Sequence, residues 1–165
     1  MSENGDFSKD SMDSQVLPSP DMPMKWHKFL IYFLLWVSAV TFAFQAYQYL
    51  TGNVHQGNRA LVYSYYSGMQ AADIMLGLVF AGLAGYAVAT RMALANYKAA
   101  GPGHLIRMYV INLAAQLLYV LFVSAVTHIS FSTLLYNSWG SVFGAVLGIF
   151  LHRIYYAKRA HLFVN

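Results

Sequence analysis

The sequence contains no cysteine among its 165 residues. This absence excludes disulfides, zinc sites with thiolate ligands, iron–sulfur clusters and cysteine nucleophiles. The motifs G-x-S-x-G and H-E-x-x-H and the phosphate-binding glycine loop are also missing. The six histidines include no pair at the i, i+4 spacing of a helical metal site. We therefore expect no enzyme, no cofactor and no metal site.

Acidic residues are scarce after the start of the chain. The first 24 residues hold five acids and one lysine, whereas residues 25–165 hold nine Lys and Arg against Asp73 alone. Only 10% of all residues are charged and 58% are hydrophobic, while a typical soluble domain is about 25% charged. A small soluble domain keeps much of its surface in water, so it could not bury this much apolar surface. A lipid bilayer is the better environment.

Four long apolar stretches follow the acidic segment. Each is near the roughly 20 residues that a helix needs to cross a bilayer, and they are too long for barrel strands. They run over about residues 29–49, 69–90, 105–126 and 135–156. Short connections make sequential helices antiparallel neighbours. We predict an all-α integral membrane domain over 25–165, an up-down four-helix bundle, preceded by a disordered cytoplasmic tail over 1–24.

The positions of Lys and Arg predict the orientation of these spans. If the N-terminus lies inside, nine of these residues fall on the inner side and only Arg59 falls outside. This positive-inside bias predicts that both termini are cytoplasmic. The outer loop, about 50–66, has a turn-like composition, and in "AAGPGH", 99–104, we expect Gly101, Pro102 and Gly103 to end a helix.

Small residues recur every four positions in the second and fourth stretches. Glycine weakens a helix in water, but in lipid it lets two helix backbones approach closely. We predict that these faces pack against another helix, either within the chain or in a homodimer. The predicted packing residues are Gly77, Ala81, Gly85, Gly140, Gly144 and Gly148.

Polar residues recur within the first and third stretches, and Asp73 lies near the outer end of the second. An ionisable residue in a span is a candidate functional residue. Asp73 could instead be structural, pairing with Arg59 or with a nearby glutamine. The polar side chains predict either hydrogen bonds between helices or a polar cavity. The candidate cavity residues are Asp73, Gln45, Gln48, Asn112 and Gln116.

Three segments carry a family resemblance: "MKWHKFLIYFLLW" (24–36), "YSYYSGMQAADIMLGL" (63–78) and "TRMALANYKAAGP" (90–102). They resemble a family of small uncharacterised four-span membrane proteins of Firmicutes-type bacteria. The residues that carry the likeness are Trp26, Tyr66, Asp73, Arg91 and the Gly101-Pro102 pair. The resemblance implies four spans in a bacterial inner membrane and implies nothing about chemistry.

Two functions agree with these features. The first hypothesis is a non-enzymatic multi-pass membrane protein that acts through helix–helix association as an accessory or scaffold subunit. The alternative is a small transporter or channel component whose outward-facing polar cavity includes Asp73. The expected partners are the lipid bilayer and either a second copy of the chain or another membrane protein. We expect no nucleic acid, because the basic residues flank apolar stretches.

Overall fold

A computed structural model describes residues 24–163, whose regular secondary structure is entirely helical. The predicted disordered tail, 1–24, lies outside the described residues except for Met24. In chain order the helices are α1 Lys25–Thr51, α2 Arg59–Tyr65, α3 Met69–Ala95, α4 Gly101–Thr127, α5 Phe131–Asn137 and α6 Trp139–Ala157. Helices α1, α3, α4 and α6 are long and apolar enough to cross a membrane. The fold is thus compatible with a multi-pass membrane protein.

The connections contain more helix than their composition suggests. The turn-like outer loop includes a 3₁₀ turn, Asn53–His55, and the whole of α2. The predicted fourth stretch, 135–156, begins inside α5 and is interrupted at Ser138 before α6 starts. Ser130 caps α5, because its side chain accepts a hydrogen bond from the backbone N–H of Thr133.

The prediction that Gly101, Pro102 and Gly103 end a helix is wrong. Helix α3 ends earlier, at Ala95, and these three residues form the first turn of α4. Proline fits there because the first N–H groups of a helix have no acceptor within the helix. The same residues that break a helix interior can therefore begin one.

The long helices pack mainly in sequence order: α1 against α3, α3 against α4, and α4 against α6. The seam between α1 and α3 holds most of the core, and Phe42 stacks on Phe80 with ring centroids 6.1 Å apart. We call the end of the long helices near Thr51, Met69, Thr127 and Trp139 the Asp73 end. The other end, near Lys25, Ala95, Gly101 and Ala157, is the basic end.

A π-helical turn, Leu30–Leu34, interrupts the hydrogen-bonding pattern of α1 near the basic end. The Nε of Arg91 on α3 donates a hydrogen bond of 3.2 Å to the carbonyl oxygen of Ile31 in this turn. The Arg91 guanidinium also lies 5.1 Å from the centre of the Trp36 ring. A π turn changes which carbonyls are paired within the helix, and here a neighbouring helix contacts one of them.

Candidate functional site

Asp73 lies in the second turn of α3 and is completely buried. Its carboxylate contacts three side chains from three other segments. Tyr119 on α4 donates to Oδ1 at 2.7 Å, and Tyr63 on α2 donates to Oδ2 at 2.8 Å. His55 Nε2 lies 2.7 Å from Oδ2. Because an ionised carboxylate only accepts hydrogen bonds, Nε2 donates in this contact when Asp73 is ionised. These four residues form the Asp73 cluster.

The connection between α1 and α3 brings His55 and Tyr63 to this carboxylate. Gly52 ends α1 in the left-handed conformation, with φ of 72°. A Cβ at this position would collide with the side chain of Arg59, so glycine is required by both conformation and space. The chain then turns through Asn53–His55 and enters α2, which directs Tyr63 back toward α3. The cluster therefore fastens the connection onto the helices.

The charge of Asp73 is compensated by hydrogen bonds more than by cations. Among residues 24–163, the single ion pair of the carboxylate is with His55, which is charged only when protonated. Arg59, a candidate partner from the sequence, instead donates to the carbonyl oxygen of Thr51 at 2.7 Å. Burial and the hydrogen bond to Asp73 raise the pKa of Tyr63 to about 12. Tyr63 thus remains a hydrogen-bond donor at physiological pH.

A cavity of about 190 Å³ lies beside the cluster. Its polar lining residues are Tyr49, Gln116, Tyr119 and Ser138, and its apolar lining residues include Leu76 and Val120. Tyr119 belongs to both structures, since its hydroxyl contacts Asp73 and its side chain lines the cavity. The rings of Tyr49 and Tyr119 meet almost perpendicularly, with centroids 5.4 Å apart. A molecule bound in this cavity would contact the residue that holds the carboxylate.

The predicted cavity residues differ in whether they line this cavity. Gln116 lines it, and the Gln116 amide donates to Asn112 Oδ1 at 2.9 Å. Asp73 is not among the described lining residues, but it accepts a hydrogen bond from Tyr119, which lines the cavity. Gln45 and Gln48 are half-buried on α1 and are not among the described residues that line it. The hydrogen bonds of Asp73 to His55, Tyr63 and Tyr119 were not predicted from the sequence, although Tyr119 lies on the same helix face as Asn112 and Gln116.

The small residues that were predicted to pack against another helix also differ in their surroundings. A Cβ on Gly77 would lie 2.8 Å from Leu50 Cγ, so α1 and α3 approach closely there. Ala81 and Gly85 are exposed, because a four-residue step turns about 40° past one full helical turn and leaves the buried face. A Cβ on Gly148 would contact Tyr109 at 3.3 Å, whereas a Cβ on Gly140 or Gly144 would meet no neighbouring element of the described chain within 4 Å.

Metal-binding side chains do not converge in the described part of the chain. Among residues 24–163 there is no group of three or more His, Cys, Asp or Glu residues that could hold a metal ion. The Asp73 cluster supplies one carboxylate and one imidazole, and its other members are phenols.

Comparison with known proteins gives no relative: no protein family, curated protein or solved structure matches the chain. The resemblance to four-span bacterial proteins therefore stays a prediction. The four apolar helices remain compatible with a multi-pass membrane protein.

Proposed function

We propose that the protein is a multi-pass membrane protein that binds a small solute in the cavity beside Asp73, as a component of a transporter or channel. The observation that carries this proposal is the buried carboxylate of Asp73, which is hydrogen-bonded to Tyr119 at the wall of a cavity. Ionisable side chains are costly inside a membrane protein and commonly mark a pathway or a ligand site. The sequence favoured association between helices, but the geometry favours this cavity.

The cavity has the composition expected of a ligand site. Hydroxyl and amide groups among the lining residues can orient a ligand, and aliphatic side chains supply most of the remaining surface. A solute that hydrogen-bonds to Tyr119 would compete with or strengthen the contact to Asp73. Because Asp73 also holds His55 and Tyr63, that change would reach the connection between α1 and α3. The cluster thereby links binding in the cavity to the position of the connection between α1 and α3.

The distribution of Lys and Arg between the two ends indicates how the protein is oriented in the membrane. The Asp73 end carries only Arg59 among the Lys and Arg residues of 24–163, and the remaining eight lie toward the basic end. By the positive-inside rule the Asp73 end faces outward and both termini are cytoplasmic. We place the protein in a bacterial cell membrane, with its solute cavity reached from outside.

Cysteine labelling tests this proposal, because the chain has no cysteine of its own. Ser138→Cys puts a thiol in the cavity wall, and Asn58→Cys puts one on the exposed connection before α2. We expect a bound solute, tested from a panel of small amines, carboxylates and sugars, to slow labelling of Ser138→Cys and not of Asn58→Cys. Protection should disappear in Val120→Trp, which fills the cavity. Equal labelling of both sites under all conditions would contradict a binding cavity.

A second candidate is association between helices, with the chain acting as an accessory or scaffold subunit. The observation that favours it is the open space around Gly140 and Gly144 on α6, a helix whose main packing partner is α4. Close backbone approach at such positions favours helix pairing in lipid. Gly144→Leu should abolish self-association measured by energy transfer between labelled copies in vesicles. Gly82→Leu is the matched control, since Gly82 on α3 also has open space around it. Unchanged association in Gly144→Leu would rule out this face.

A further inference from the structure

A second cavity, of about 350 Å³, lies at the basic end between the start of α4 and the end of α6. Pro102, Gly103 and Ile106 line it from α4, and Arg153 and Tyr156 line it from α6. Phe163, after the last 3₁₀ turn, Ala160–Leu162, also lines it. This cavity shares no lining residue with the cavity beside Asp73.

Arg153 is the charged residue that lines this cavity, and nothing acidic in residues 24–163 lies near it. Asp73 is the single acid of this part of the chain, and it lies at the opposite end, paired with His55. Lys98, Arg107 and Lys158 are exposed toward the same end as Arg153. The described chain therefore offers a cavity with a cationic side chain, surrounded by further positive charge, and no carboxylate to neutralise it.

Apart from Arg153 and the hydroxyl of Tyr156, the side chains that line the cavity are apolar. Ile106, Ala157 and Phe163 contribute hydrocarbon or aromatic surface beside the arginine. A free phosphate ion would leave this surface without a partner and would meet a single guanidinium. A phospholipid supplies both chemistries, because its phosphate pairs with arginine and its glycerol and first acyl carbons cover apolar surface.

We propose that this cavity binds the phosphate headgroup of an anionic phospholipid from the leaflet around the basic end. Arg153 is the phosphate ligand, and Ile106 and Phe163 contact the lipid beyond its headgroup. The neighbouring lysine and arginine residues concentrate anionic lipid near the cavity without entering it. This lipid site is independent of the solute cavity at the Asp73 end.

Native mass spectrometry of the full-length protein in detergent tests the proposal by counting bound lipid. The probes are phosphatidylglycerol, phosphatidylcholine and inorganic phosphate. We expect phosphatidylglycerol to bind in preference to phosphatidylcholine, and Arg153→Gln to weaken its binding about fivefold. Arg107→Gln is the matched control, because Arg107 is an exposed arginine of α4 that is not among the residues lining the cavity.

A second variant keeps the test independent of Arg153. Gly103 lines the cavity, and a Cβ at this position would meet nothing within 4 Å, so Gly103→Leu adds a side chain at the cavity without a clash at its Cβ. We expect Gly103→Leu to lower phosphatidylglycerol binding while thermal unfolding stays unchanged. Equal losses in Arg153→Gln and Arg107→Gln would show diffuse surface attraction and overturn the proposal. Equal binding of the two lipids, or saturable binding of inorganic phosphate that displaces the lipid, would overturn it as well.

Discussion

The two ends of the helices are held together by different chemistry. At the Asp73 end, one buried carboxylate contacts side chains from three other segments. At the basic end, His27 Nδ1 and the Tyr156 hydroxyl are 2.9 Å apart, and the rings of Tyr97 and Phe163 pack on His27. Hydrogen bonds to a charged group are stronger than those between neutral groups. The Asp73 end therefore depends on one residue, whereas the basic end relies on many weaker aromatic contacts.

Asp73→Leu should have the largest effect, because it removes the acceptor of three donors at once. We expect a loss of about 3–5 kcal/mol in unfolding free energy, because each buried donor left without its acceptor costs about 1–3 kcal/mol. Asp73→Asn keeps one acceptor oxygen and should lose less. Thermal unfolding in a fixed detergent measures both variants. Gln70→Leu, at an exposed position in the same end of α3, is the control. Equal stability of Asp73→Leu and Gln70→Leu would remove the contrast between the two ends.

Gly77→Leu should separate α1 from α3 at the Asp73 end without changing any charge. The new side chain would press against Leu50, whose backbone nitrogen lies 3.1 Å from the Cβ position. Overpacking of this kind costs about 1–3 kcal/mol. Gly82→Leu adds the same side chain to the same helix in open space and should cost little. Equal melting temperatures for the two variants would show that α1 and α3 do not need this close approach.

Two tyrosine-to-phenylalanine changes compare the ends directly, because each removes one hydroxyl. Tyr119→Phe deletes a hydrogen bond to the Asp73 carboxylate, which is worth about 1.5–3 kcal/mol. Tyr156→Phe deletes the contact with His27, for which about 1 kcal/mol is expected. Paired unfolding measurements at neutral pH give the difference. A larger loss in Tyr156→Phe would reverse the proposed order of the two ends.

The smallest effect concerns the titration of Tyr63. Its pKa of about 12 lies above the ordinary value of 10 because of burial first and the hydrogen bond to Asp73 second. The stabilisation from the protonated phenol is therefore complete below pH 10 and is lost as pH rises through about 12. The tyrosinate absorbance of the wild type minus that of Tyr63→Phe should show one group titrating near pH 12. A midpoint near pH 10 would mean that Tyr63 does not contact Asp73.

The long helices could be predicted from the sequence because their apolar stretches are long and uncharged. In lipid, such a stretch can satisfy its backbone hydrogen bonds only in a helix or a closed barrel. Pro102 shows the limit of this reasoning, since a proline in the first turn of a helix and one beyond its end look alike in sequence. Ala81 and Gly85 are exposed within the chain, so their predicted packing against another helix stays a prediction. A four-residue spacing indicates one helix face only over a short distance, and the core lies on the face that carries Gly77.

The donors of Asp73 could not be assigned from the sequence for a different reason. His55 and Tyr63 lie in a connection whose path depends on the left-handed turn at Gly52 and on α2, and Tyr119 is 46 residues away along the chain. Such contacts arise from tertiary packing. The sequence singled out Asp73 and Gln116 as candidate cavity residues, because polar residues in apolar helices need partners, and of the two only Gln116 is among the described residues that line the cavity. It did not identify which partners they have.

The most direct test of the account is the charge preference of the cavity beside Asp73. Ser138→Cys would be treated in intact cells with two small membrane-impermeant thiol reagents that differ only in charge. We predict labelling from outside, faster with the cationic reagent, and loss of this preference in Ser138→Cys combined with Asp73→Asn. Absence of labelling, or identical rates for both reagents with Asp73 in place, would contradict an outward-facing cavity governed by this carboxylate.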